Sequence, residues 1–146
     1  MTPITFDPLM LWPVIWVAIL TLASGIYLFL LRRASVLSQT VKLSFYRVYR
    51  GGEEPEHIAA ATRHYTNLFE TPVLFYLGVI CAGLLGPATW PVLVPAFAFA
   101  ALRTGQSLIH LTSNNVLRRA YCFWASALML MWLWGAVIAR TWTATA

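Results

Sequence analysis

Arg63, Asn67 and Glu70 stand at i, i+4 and i+7 within Arg63-His64-Tyr65-Thr66-Asn67-Leu68-Phe69-Glu70-Thr71-Pro72, one stripe of a helix followed at once by an apolar run. A guanidinium offers a planar fork to carboxylates, an amide both donates and accepts, and a carboxylate holds an ammonium or another guanidinium. The trio therefore has the parts to grip a small zwitterion. Arg103, Gln106 and His110 end the third apolar run on nearly one face, and Arg118-Arg119 open the fourth. Up to four arginines, Arg63, Arg103, Arg118 and Arg119, then surround one carboxylate, Glu70. Internal pairing leaves positive charge unmatched, which points to an anionic or zwitterionic ligand. The plainer use is glue between helices, with Glu70 paired to an arginine.

The elements that carry these residues are membrane spans. The 146 residues are 60% hydrophobic and 10% charged, with mean hydropathy +0.69, where a soluble domain shows roughly 45–50% apolar and about 25% charged residues. The composition excludes a soluble domain and predicts an all-α membrane protein, a bundle of four transmembrane helices in one domain over residues 1–146, with spans at about 9–31, 67–86, 90–111 and 119–139. No Lys or Arg precedes the first run and no small-residue cleavage site follows it, so it is expected to remain as an anchor ending at Arg32-Arg33. The second helix is expected over 56–85, longer than the bilayer core, with Glu53-Glu54-Pro55-Glu56 as its start and Pro55 inside the first turn. Its first turns must protrude, which puts Arg63 at the interface and Glu70 just inside the hydrocarbon. Pro72 would kink it at the polar stripe. Val41 to Tyr49 mixes aromatic and basic residues and would lie along the membrane surface.

The net charge is +5, but the basic residues sit at span ends and connections, so it concerns topology and lipid headgroups, with no nucleic acid as partner. Nine of the ten, Arg50 among them, share the side of the first and third connections, and only Arg140 is opposite. Both termini are then extracytoplasmic and the polar site cytoplasmic. Cys81 and Cys122 match no metal or redox spacing, and no metal site is expected. A proton-coupled transporter would use Glu70 as its titrating acid, yet the first span has no acid at all.

Arg63-x-x-x-Asn67-x-x-Glu70-x-Pro72, the Arg32-Arg33 pair ending the first span and an arginine opening the fourth resemble the MAPEG family, the membrane-associated proteins in eicosanoid and glutathione metabolism. The resemblance covers essentially the whole chain. It implies a left-handed four-helix bundle in a homotrimer, with glutathione as cosubstrate bound between neighbouring subunits near the cytoplasmic face. Arg63, Asn67 and Glu70 would hold the tripeptide, Arg32 or Arg33 would lie near its carboxylates, and Arg103 matches a span-three arginine of the family. The catalytic arginine would be Arg119 or Arg118. A free thiol has pKa about 8.5, and a guanidinium beside it favours the nucleophilic thiolate. A small lipophilic acceptor would arrive from membrane lipid. The chain departs from the active members' pattern at Ala60, where they carry a second arginine, and at Gln106, Leu108 and His110, where they carry tyrosines facing the thiol. Thr71 replaces an aromatic or Asn. The family also contains lipid-binding and regulatory proteins without transferase activity, the alternative to a glutathione-dependent transferase or peroxidase.

Overall fold

The computed structural model describes residues 6–49 and 52–145; Arg50 and Gly51, both in the first connection, lie outside the described residues. A 3-10 turn, Pro8–Met10, capped by the Asp7 carboxylate on the Leu9 amide at 2.9 Å, leads into α1 (Leu11–Leu37). Then follow α2 (Leu43–Val48), α3 (Glu56–Asn67), α4 (Thr71–Leu85), α5 (Trp90–Leu111) and α6 (Val116–Thr145). Counting α3 and α4 as one crossing, four helical stretches among the described residues are long and apolar enough to span a bilayer.

Three expectations change. First, α1 does not stop at Arg32-Arg33 but continues to Leu37, with backbone bonding as far as the Ser38 amide on the Ala34 carbonyl. Second, Pro55 precedes α3 as its N-cap instead of sitting in its first turn. Third, the helix expected over 56–85 is broken at Leu68-Phe69-Glu70. Pro72 lacks the N–H that would bond the Leu68 carbonyl, and its ring crowds that carbonyl. It sits in the first turn of α4, where proline is tolerated. Glu70 is therefore the N-cap residue of α4, with φ −89° and ψ −90°, and not the third member of a continuous helical stripe.

One face of α5 organises the bundle. Val92, Ala96, Phe99, Arg103, Gln106 and His110 are all buried at helical spacing, apolar at one end and polar at the other. At the apolar end Phe99 stacks on Phe75 of α4, with ring centroids 4.4 Å apart, and Val79, Leu133 and Val17 complete the core. A second, smaller cluster joins Leu28 of α1 to Ile58 and Ala61 of α3. Gly25 permits this approach, since a Cβ there would stand 2.9 Å from the Tyr65 ring. The remaining faces of α1, α4 and α6 expose large apolar side chains such as Leu22, Leu77 and Leu128, which suits a hydrocarbon solvent.

Candidate functional site

The polar half of the α5 stripe meets α3 and the first turns of α6. The Ser113-Asn114-Asn115 turn sets their register. Asn114 takes the left-handed conformation at φ 46°, which Asn tolerates, and the Asn115 carboxamide caps α6 by accepting from the Arg118 amide at 3.1 Å. Two arginines near a helix N-terminus face the positive end of the dipole, at a cost of about 0.3–1 kcal/mol each, so the helix is not the reason for them. Arg118 is exposed. Arg119 turns inward, its Nη1 donating to His110 Nε2 at 2.8 Å and to Asn114 Oδ1 at 2.9 Å. Nη2 and Nε have no hydrogen-bond partner among the described residues. Arg119 lines a cavity of about 230 Å³ with Asn67, Gln106 and the rings of Phe123 and Trp124.

Behind Arg119 the polar groups form a chain across the spans. His110 lies against His64 with ring centroids 5.2 Å apart, and His64 Nε2 meets Ser24 Oγ at 3.2 Å. Ser24 spends its hydrogen on the Leu20 carbonyl, so its oxygen accepts and His64 carries its proton on Nε2. Both imidazoles are 2% exposed. Two of these residues, His64 and Ser24, escaped the sequence reading. The available signal for His64 was its place on the buried side of α3, three residues after Ala61 and four before Leu68.

Arg103 is buried at 1% exposure and its contacts are internal. Nη1 donates to Gln106 Oε1 at 2.8 Å and Nη2 to the Asn67 carbonyl at 2.6 Å, the last residue of α3, so the guanidinium closes the helix end opened by the break. Its Cζ stands 5.9 Å from the Phe123 ring centroid.

The expected constellation is thus divided by α3. Asn67, Gln106, His110 and Arg119 lie together. Arg32 lies on the other side of α3. Its Nη2 donates to Thr62 Oγ1 at 3.0 Å, its Nε faces Glu54 at 3.5 Å, and Tyr46 and Tyr49 flank it at 5.2 and 5.7 Å. The aromatic tract expected along the membrane surface forms α2, whose Tyr46 and Tyr49 flank this arginine, with Phe45 buried. Arg33, Arg63 and Glu70 are exposed, and Glu70 makes no ion pair among the described residues. Arg32 also ends an apolar groove of about 900 Å³ that runs between α1 and α3–α4 past Val14, Ile26, Tyr65 and Tyr76.

The sequence profile of the MAPEG family matches residues 9–139, nearly the whole chain. This chain belongs to the MAPEG family. No curated protein and no solved structure matches it. With four apolar crossings and this membership, the MAPEG chain is a multi-pass integral membrane protein. Ala60 is buried and borders a further cavity of about 350 Å³ with Glu56, His57 and His110.

Proposed function

We infer that the protein is a glutathione-dependent transferase or peroxidase acting on lipophilic electrophiles, and that it works as a homotrimer. The observation that carries this reading is Arg119: Nη1 is anchored by His110 and Asn114, while the rest of the guanidinium is left for a ligand in a cavity shared with Asn67 and Gln106. An anchored guanidinium is pre-oriented to favour a thiolate over a thiol. Sulfur then attacks the electrophilic carbon and the leaving group departs with its electron pair.

The remaining charges suit the tripeptide. Arg63 takes a carboxylate, Glu70 the ammonium and Asn67 a backbone amide. Arg33 takes the second carboxylate, Arg32 anchors the neighbouring wall, and Arg103 acts by fixing the Asn67 end of α3. A site of about 230 Å³ is smaller than the roughly 300–1,000 Å³ typical of ligand pockets, and Arg63 and Glu70 point outward, so a neighbouring subunit supplies the missing wall. The bias of basic residues puts the polar end in the cytoplasm and both termini outside. The groove ending at Arg32 supports a lipophilic acceptor drawn from the bilayer.

Isothermal titration of the purified trimer with glutathione, followed by thiolate absorbance, tests the reading. Binding with thiolate formation is expected, lost in Arg119→Ala; loss in Arg118→Ala with Arg119→Ala intact would overturn the assignment. The groove also favours a second reading, a lipid-binding member without transferase activity. A trimer that retains lipid and takes up no glutathione would establish that one.

A further inference from the structure

α2 has one side packed and one side bare. Phe45 is buried and Tyr46 half-buried, while Leu43, Ser44, Arg47 and Val48 share the opposite side at helical spacing and are all exposed, Leu43 at 71% and Val48 at 61%. A helix of six residues is far shorter than the roughly 12–15 that persist alone in water. What lies against the bare side therefore bears on whether α2 holds its shape.

The last turns of α1 fix its depth. The Val41 amide donates to the Ser35 carbonyl at 3.2 Å, and the Tyr46 hydroxyl meets Ser35 Oγ at 3.0 Å. α2 thus lies beside the part of α1 that follows Arg32-Arg33, just beyond the apolar run over 9–31. Neither bulk phase suits its bare side there. Hydrocarbon rejects Arg47, and water leaves the apolar surface of Leu43 and Val48 unburied. The boundary between headgroups and acyl chains accepts both, because an arginine stem lies in the apolar layer while its guanidinium reaches a phosphate. Charge then selects the leaflet. Lys42 at the start of α2 and Arg33, two residues before Ser35, are exposed as well. The acids of this connection are placed differently: Glu54 pairs with Arg32, and Glu53 follows Gly52, where a Cβ would stand 3.8 Å from the Phe45 ring, on the packed side of α2.

We propose that α2 docks on an anionic lipid leaflet, with Leu43 and Val48 among the acyl chains and Arg47, Lys42 and Arg33 on the headgroup phosphates. This surface does not depend on the transferase reading. It does touch the apolar groove, because Tyr46 and Tyr49 on the same short helix flank Arg32, which ends that groove. A leaflet that holds α2 also steadies the groove's polar end.

Hydrogen exchange in the full-length protein tests the docking. The Phe45 and Tyr49 amides are bonded to the Lys42 and Phe45 carbonyls at 2.9 and 2.6 Å, so they exchange when α2 opens. Wild type and Lys42→Ser/Arg47→Ser are compared in nanodiscs of phosphatidylcholine alone or mixed with phosphatidylglycerol. A cation near an anionic surface contributes about fivefold in association, the equivalent of about 1 kcal/mol. Wild-type α2 should then exchange at least about 10-fold more slowly in the mixed discs, and the double variant should lose most of that difference. Raising salt to about 1 M, where the Debye length falls to about 3 Å, should erase it. Amides around Phe99 should exchange alike throughout, which reports an intact bundle. Leu43→Ser/Val48→Ser should exchange faster in both kinds of disc. Equal wild-type exchange in the two lipids would overturn the proposal even where a variant fails to fold, and so would a lipid difference that survives in Lys42→Ser/Arg47→Ser. Protection that follows subunit association in neutral detergent and ignores lipid would give this side of α2 to a second copy of the chain, and would overturn it too.

Discussion

The two halves of the α5 stripe handle polar groups in opposite ways. At the apolar end Arg140 directs Nη1 to the Ala82 and Gly86 carbonyls and Nη2 to the Pro87 carbonyl and Thr89 Oγ1, at 2.6–3.2 Å. It caps α4 and ties the turn to α6, with both terminal nitrogens committed. At the polar end, among the described residues, Arg119 commits one nitrogen only and the buried His110 Nδ1 has no partner, while Arg63 and Glu70 are exposed. Satisfied buried groups are part of a fold, whereas a fold that leaves donors open in a cavity has room for a ligand to meet them. Arg103 lies between these cases, at the polar end with both terminal nitrogens bonded like those of Arg140 but with its buried Nε unmet among the described residues.

The largest effect that would sharpen the contrast is at Arg119. Arg119→Ala removes the oriented guanidinium, and losing one such donor costs about 10²–10³ in rate. Conjugation of glutathione to a lipophilic aryl halide should fall by that factor while thermal stability in detergent changes little. A large stability loss with residual activity would make Arg119 structural and erase the distinction. Next comes Arg103→Leu, which strands the Asn67 carbonyl and Gln106 in a buried site. At about 1–3 kcal/mol for each unmet group, unfolding should come markedly earlier, and glutathione affinity should weaken because the Asn67 end of α3 is released. Arg140→Ala is the control at the other end. It should lower stability by about 2 kcal/mol through its lost carbonyl bonds and leave the conjugation rate per folded trimer unchanged. A change in rate would show that the two ends are coupled.

The sequence made the bundle legible because a bilayer imposes long apolar runs, and the turn residues at Gly86-Pro87 and Asn114-Asn115 punctuate them. It was less informative about the site, for reasons of geometry. Arg118 and Arg119 differ by about 100° around a helix, and only the left-handed Asn114 and the Asn115 cap decide which one turns inward. Thr62 and Arg63 are likewise adjacent in sequence, yet Thr62 reaches Arg32 across one side of α3 while Arg63 is exposed. No spacing rule announces that division. The Arg32–Glu54 pair closes through α2, whose six residues are too few to carry a clear period.

The smallest effect separates the break in the second span from its consequences. Pro72→Ala restores an N–H that can bond the Leu68 carbonyl, and alanine favours a helix interior by about 3 kcal/mol over proline. Most of that difference is absent here, because Pro72 sits in the first turn of α4. Stability should therefore shift by no more than about 1 kcal/mol. If α3 and α4 fuse, the Thr71 amide competes with Arg103 for the Asn67 carbonyl, and Asn67 turns relative to Arg119. Glutathione affinity should fall a few-fold, roughly 0.5–1 kcal/mol by the usual conversion, with the calorimetric midpoint nearly constant. An unchanged affinity would mean that Arg103, rather than the proline break, sets the position of Asn67. The polar end would then owe its geometry to one buried guanidinium, just as the apolar end owes its turn to Arg140.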